Sequence, residues 1–553
     1  MNPRHISAPR TPAAPRLRTS LPLLLLLGTF ATSPLLRAET PPKPKAPAAP
    51  AAPAAPAVAV DNNTVPYTLE VEEVPKSNMP PIHSFASGYA DGKWLLIGGR
   101  NAGLHGFNTD GSKNFPRPTA NTIAYVVDPA GNKVLGQVDL TKYLAKRPDL
   151  LGPLTATNPE FVQVGRYLYL IGGYGKDLAD PQGAMVTFGS VIRIHIPNLI
   201  IDIVNKAGGV IEKHIQRNPA SDRRLKVTGG QLKYHDGRFY IIFGQEFTGH
   251  YTLPTKDYNK AGGEFQKYTE KIRILTLKDD LSIDQYAEED GGYDDALPYH
   301  RRDLNVCDVI LQHPGANGKP STEEAACVVY GGVFKAGQIG GHVHPVDIFY
   351  ANPFSTAQTH DTTPTYARVR SDFSQALNHY DCANFTLYDS YNGNSYTNLF
   401  GGISQFHYDA AKQALIQDAI NFPVDGLPFI NTVSVIRHGA TGISQNIQPA
   451  PGWAPGTTLL GTDAQFLVHH SKLHPHAIME GGVINLAKLG TGLHVIGHIL
   501  GGIEAFGPYT GLLPADKPSS QASTRLFQIK LRVTPSAVTP MPPLPPGPTP
   551  YNP

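Results

Sequence analysis

The sequence predicts an all-β chain built from repeated four-stranded antiparallel units, and three observations carry that prediction. Six times an apolar run ends in a small-residue pair: Leu95-Leu96-Ile97-Gly98-Gly99, Leu168-Tyr169-Leu170-Ile171-Gly172-Gly173, Tyr240-Ile241-Ile242-Phe243-Gly244-Gln245, Val328-Val329-Tyr330-Gly331-Gly332, Leu399-Phe400-Gly401-Gly402 and Ile496-Gly497-His498-Ile499-Leu500-Gly501-Gly502. A unit that recurs in this way marks a repeat architecture. Strand-forming residues that run into paired glycines suit a buried strand whose end needs positive φ or close backbone approach. Third, the last unit lacks a fourth strand, while an alternating segment, residues 67–74, stands before the first unit.

The elements follow in order. In the first unit residues 83–91 alternate and turn at Asp91-Gly92, 93–99 form the glycine-ended strand, 121–129 the third strand and 133–140 the fourth. The second unit places its strands at 161–164, 167–173, 191–197 and 210–216, and the third at 231–235, 238–244, 271–277 and 281–286. The fourth uses 305–312, 327–332, 346–350 and 366–369, and the fifth 382–388, 396–402, 432–437 and 443–447. The sixth has only 464–469, 493–502 and 525–533. A ring closed by the N-terminal strand leaves no free edge. The expected fold is therefore a six-bladed β-propeller over residues 61–533.

The glycine pairs, and the later strand that ends Tyr125-Val126-Val127-Asp128-Pro129, are similar to those of the kelch family, whose members build such propellers. The chain departs from that family in two respects. Its only tryptophans are Trp94 and Trp453, neither at the expected fourth-strand position, and its repeat interval exceeds the roughly 50 residues of a kelch unit. The excess is assigned to loops.

Ahead of the repeats, Arg4, Arg10, Arg16 and Arg18 precede an apolar core at Leu21 to Leu27 and a small residue at Ala38. This reads as an export signal over 1–38, too short in its apolar core to span a membrane, so the expected location is secreted or periplasmic. Residues 39–60 form a Pro/Ala-rich linker, and 534–553 a Pro-rich tail expected to be disordered. The first 38 residues hold five arginines and no acid, so their removal takes the chain from +2 to −3. That balance gives no support to nucleic-acid binding. The three cysteines read as small buried residues, or as one Cys307–Cys382 bridge with a thiol left over.

In a four-stranded antiparallel blade, the second-to-third connections share a face with the connections into the next blade. Here they are long, at 100–119, 174–189, 245–268, 405–430 and 504–523, against a median of about 4–6 residues for connecting loops. Long loops gathered on one rim point to binding. Arg100, His105, Tyr174, Glu246, His250, Tyr251, His407, Tyr408 and Glu504 lie on them, and Gln231 stands at a strand entrance. Rings mixed with amide, carboxylate and imidazole groups suit a polar ligand, a glycan or a protein partner. The same rings also serve to pin long loops to the scaffold. At the channel mouth His83, Glu160, His379 and Asp381 are the acid/base candidates.

Two histidine pairs are candidate metal ligands. His342 and His344 alternate on an extended segment, which aims both at one ion, and His474 and His476 close a run of four imidazoles that begins at His469. Such sets suit copper or zinc. The sequence thus favours an exported propeller that binds a polar ligand on its long-loop rim. The alternative, which the resemblance to exported kelch-like enzymes implies, is a carbohydrate-active epimerase, lyase or copper-dependent oxidase at the channel mouth.

Overall fold

The computed structural model describes residues 63–545 apart from 107–113, 181–182, 207, 252–257, 260–264, 291–297, 314–321, 336–339, 351, 355–366, 418–426, 455, 457 and 509–518. The expected signal and linker, and the last residues of the tail, lie outside the described residues.

Among the described residues six sheets share one plan. The first runs Ala86–Ala90, Lys93–Ile97, Ile123–Asp128, Lys133–Asp139, and the second Glu160–Val164, Tyr167–Ile171, Val191–His195, Ile215–Arg217. The third runs Gln231–His235, Arg238–Ile242, Lys271–Leu277, Ile283–Asp290, and the fourth Asn305–His313, Thr322–Tyr330, Val346–Phe349, Ala367–Val369. The fifth contains Ala383–Asp389, Asn394–Ile403, Phe429–Gly439 and Gly442–Ile447, with the short strands Ile484–Asn485 and Thr539–Pro540 at its two edges. The last contains Ala464–Val468, Leu493–Gly501 and Leu526–Arg532, and its fourth strand is Thr68–Glu73. Thr68 stands opposite Arg532 and Glu73 opposite Phe527. Leu69 and Val71 are buried while their alternating neighbours are less so, which is the pattern of a strand with one face on a core. The fold is all-β and propeller-like.

Apolar clusters join successive sheets. Ile97 of the first packs with Leu168 of the second, and Tyr240 of the third with Val329 of the fourth. Phe400 of the fifth meets Ile499 of the last, and Leu467, Leu500 and Leu526 of the last pack with Phe85, Leu96 and Val127 of the first. Polar contacts follow the same order. Gln163 bonds the Tyr89 backbone, Gly230 N donates to Glu160 Oε1, Lys233 Nζ pairs with Asp308, and Asn384 Nδ2 donates to Asn305 Oδ1. Asp463 N donates to Asp381 O, and Ser87 Oγ donates to Gln465 Oε1.

The glycine pairs sit where the sequence put them, at the ends of second strands. Gly99 has φ +81°, and a Cβ there would overlap the His83 carbonyl oxygen. Three expectations need correction. Residues 210–216 are mostly a 3-10 turn, Gly208–His214, followed by the short strand Ile215–Arg217. The helix Ile196–Val204 precedes them and buries Ile196, Leu199, Ile200 and Ile203 against the first two sheets; Pro197 lies in its first turn and the His195 ring accepts from Asn198 N. The tail is ordered in part, because Ser536–Ala537 pairs with Thr64–Val65, Thr539–Pro540 pairs with Asn446 and Ile447, and Val538 is buried between them.

The long connections of the second and third units are also not simple loops. Tyr174–Lys176, Met185–Thr187, Gln245–Thr248, Phe265–Tyr268 and Tyr258–Asn259 form one five-stranded sheet. No helix among the described residues is long and apolar enough to cross a membrane.

Candidate functional site

A two-residue step recurs at the entrance to each sheet: His83-Ser84, Thr157-Asn158, Thr228-Gly229, Arg302-Asp303, Tyr380-Asp381 and Thr462-Asp463. The first residue pairs with the residue that follows the glycine pair, as in His83 with Arg100, Thr157 with Tyr174, Thr228 with Gln245, Arg302 with Val333 and Tyr380 with Ile403. In the sixth, Ile503 N donates to Thr462 O. The second residue has positive φ every time: 53°, 47°, 69°, 50°, 29° and 54° in chain order. Gly, Asn and Asp tolerate that conformation best, which explains the residue types. All six sheets thereby contribute to one central pocket of about 70 Å³. A larger cavity of about 620 Å³ lies on the other side, and Ser84, Asn158, Gly229 and Asp463 line both.

His83 Nδ1 is 3.1 Å from Asp463 Oδ2 and 2.8 Å from Ser84 Oγ, and Ser84 Oγ donates to the same Asp463 oxygen at 2.6 Å. His83 Nε2 is buried and has no hydrogen-bond partner among the described residues. The Asp381 and Asp463 carboxyls are hydrogen-bonded to each other. Burial, and then the negative charge of Asp463 and Asp303, push Asp381 well above the usual carboxylate range. Burial acts the same way on Asp463, but the hydrogen bond from His83, the attraction of that ring when it is protonated, and hydrogen bonds from Ser84 and Asp381 hold it below that range. Asp381 therefore carries the proton and Asp463 the charge.

Two arginines face the same pocket. Arg302 donates from Nη1 to Gln245 Oε1 at 2.7 Å and from Nη2 to Tyr251 Oη at 2.9 Å, and its Nε is 3.2 Å from Asp303 Oδ2. Tyr380 Oη donates to Asp303 Oδ2 at 3.3 Å. Burial pushes Asp303 up to about 6 against the pull of Arg302. The Arg100 guanidinium lies 4.6 Å from the Phe115 ring centre and donates to Thr119 Oγ1, while its Nε has no partner among the described residues. Burial brings Arg100 down to about 10, which leaves it charged at neutral pH. His105 stacks on Phe115 at 4.6 Å, and burial pushes it down to about 3, so it is neutral.

Of the residues singled out from sequence, His83, Arg100, His105, Tyr174 and Tyr251 meet in the central pocket, and Glu160, Gln231 and Asp381 line the larger cavity. Glu160 accepts from Gly230 N at 2.8 Å, and burial pushes it up to about 8. His379 lines neither space. It is fully buried within the fifth sheet, with Nδ1 2.7 Å from Gly401 O and Nε2 2.7 Å from Ser434 Oγ, which makes it a structural histidine. Glu246 pairs with Lys226 at 3.4 Å, and Glu504 accepts from Gln521 Nε2 at 3.0 Å, both outside the pocket. His250 is exposed, and His407 and Tyr408 belong to a separate hairpin with Ala414–Ile416.

The histidine pairs do not converge as expected. His342 Nε2 lies 2.8 Å from His300 O, and His344 Nδ1 lies 2.7 Å from Phe373 O, so two backbone carbonyls hold them. His474 and His476 are exposed on a short turn with ring centres 5.1 Å apart, and His476 N donates to His474 Nδ1. No group of three or more His, Cys, Asp or Glu among the described residues is placed to hold a metal ion, so copper or zinc finds no fitting ligand set there. The three cysteines are buried and unbridged.

Sequence reasoning missed Ser84, Arg302, Asp303, Tyr380 and Asp463. The signal was present as the repeated step, with the second residue limited to Ser, Asn, Gly or Asp. Fold and site together define a propeller-like protein with a polar central pocket. No family model and no curated protein matches the chain. Among solved structures, one described as "Structure of YjhT" is similar with a TM-score of 0.39 and 11% identity, covering 81% of this chain and 99% of that one.

Proposed function

We propose that the chain is an exported, six-bladed kelch-like propeller that binds a glycan, one polar group of which enters the small central pocket. The six-bladed closed ring is supported by the strand Thr68–Glu73 in the last sheet and by the apolar cluster between last and first sheets. Export is supported by the basic and then apolar start of the sequence. The observation that carries the binding reading is the unfilled bonding capacity of His83 Nε2 and Arg100 Nε. An unsatisfied buried polar group costs about 1–3 kcal/mol, and a ligand hydroxyl or carbonyl that meets these atoms removes that cost. The test is calorimetric titration with a panel of mono- and disaccharides. Binding that is lost in Arg100→Gln and in His83→Phe supports the reading, and silence across the panel overturns it in favour of a protein ligand.

A second reading, an acid/base enzyme at the same site, is favoured by the His83–Asp463 contact. An imidazole held at Nδ1 by a carboxylate presents Nε2 as a general base. Incubation of the same sugars in D₂O, followed by proton NMR, tests it: loss of a carbon-bound proton signal that requires His83 supports catalysis, and no exchange in any sugar removes it.

A further inference from the structure

The two cavities meet at a polar floor, and the hydrogen-bonded chain through that floor has one end in each. Asp381 lines the larger cavity, Asp463 lines both, and His83 lines the central pocket. The links are the Asp381–Asp463 carboxyl pair and the His83 Nδ1 to Asp463 Oδ2 contact of 3.1 Å. The Asp381 side is partly exposed, whereas His83 is only 4% exposed and its Nε2 is unpartnered among the described residues. We infer that Asp381, Asp463 and His83 form a proton relay that joins solvent in the larger cavity to His83 Nε2 in the central pocket. This rests on the reading that Nε2 faces the ligand.

The step balances. His83 with its proton on Nδ1 accepts a proton from a ligand group at Nε2, and the Nδ1–H bond breaks toward Asp463. Asp381 releases its own carboxyl proton to solvent in the larger cavity, and Asp463 passes the proton it received to Asp381. One proton enters and one leaves, no electron is transferred, and the carboxyl pair ends with the single proton it began with. The imidazole is left as the Nε2–H form, and the reverse sequence resets it by returning a proton to the pocket. The protonation states derived above, Asp381 neutral and Asp463 ionised, are the ones the relay needs at rest. Glu160 from the second sheet and Asp303 from the fourth face the pair and add negative charge that keeps the proton there, with Arg302 beside Asp303 opposing it.

The test reads protons, not ligand. In the full chain with ¹⁵N-labelled histidine, the His83 ring signal is assigned by its loss in His83→Gln, and exchange of its Nδ1 proton with solvent is measured at pH 7. The expected result is exchange slowed by about tenfold or more in Asp381→Asn, which keeps a hydrogen bond but carries no transferable proton, and restored in Asp381→Glu. Equal exchange in wild type and Asp381→Asn overturns the relay. A carboxyl ¹³C titration of the wild type guards against a misfolded variant: Asp381 ionised at pH 7 overturns the relay by itself. A failed sugar screen leaves both measurements intact, and a failed relay leaves any measured binding standing.

Discussion

His83 Nδ1 and Asp463 Oδ2, 3.1 Å apart, join residues separated by 380 positions and tie the first sheet to the last. Because Asp463 is held below the usual carboxylate range, its contribution is present above the ordinary value near 3.9 and is lost as pH falls below it. Asp463→Asn is expected to destabilise the fold by ~1.5–3 kcal/mol at pH 7, the range for a hydrogen bond to a charged group. Urea denaturation at pH 7 and again in acid checks it, since the difference from wild type should shrink in acid.

Glu160 gives the opposite sign. Its folded value near 8 lies above the unfolded one, so its contribution is complete in acid and is lost as pH rises from about 4.3 through 8. Glu160→Gln keeps an acceptor for Gly230 N and cannot ionise. The variant should gain stability relative to wild type as pH rises across that window, read from paired denaturation curves at pH 5 and pH 8.5.

Arg302 is 2% exposed and bonds Gln245 and Tyr251 while it lies beside Asp303. Arg302→Ala strands the Asp303 carboxylate and is expected to cost ~3–5 kcal/mol. Arg302→Lys should recover only part of that loss, because an ammonium cannot reach Gln245 and Tyr251 as a planar fork does. Chemical denaturation of the two variants measures both.

Two glycines with nearly equal φ separate conformational need from space. Gly92, φ +80°, has open space for 4 Å around the place a Cβ would take, whereas Gly99, φ +81°, has the His83 carbonyl there. Gly92→Asn should fold with little loss, and Gly99→Ala should fail to give soluble folded protein. Circular dichroism and size exclusion distinguish the outcomes.

Leu69 of the N-terminal strand is 1% exposed. Leu69→Ala is expected to cost ~2–5 kcal/mol, as for other large-to-small core changes. Urea denaturation measures it, and a near-zero effect would mean that the first strand adds little to the last sheet.

The frame was legible because glycine leaves little choice: six apolar runs end where the backbone turns with positive φ, and a short alternating segment has one vacant place to fill. The helix Ile196–Val204 and the five-stranded sheet of the connections were not legible, because each depends on contacts with another unit. In the site, His83 was readable as a polar residue at a strand entrance, and Arg100 and Tyr251 as polar and aromatic residues on the long connections. Asp463 and Asp303 were hidden because one acid in a turn looks like any solvated acid until its copies are aligned. His379 misled for the converse reason: its ring nitrogens are taken up by Gly401 and Ser434, which no linear pattern shows.

The pairing of Thr68–Glu73 with Leu526–Arg532 makes a strand made early wait for a partner far along the chain. That sheet gains its outer edge only after Leu526–Arg532 has been made, so this step is slow to nucleate, as contacts distant in sequence are. Loss of a few residues from either side of this seam is also the same injury, since each bares the other. A cut at the exposed turn around Tyr391 differs, because the strands on its two sides, Ala383–Asp389 and Asn394–Ile403, pair with each other within the fifth sheet.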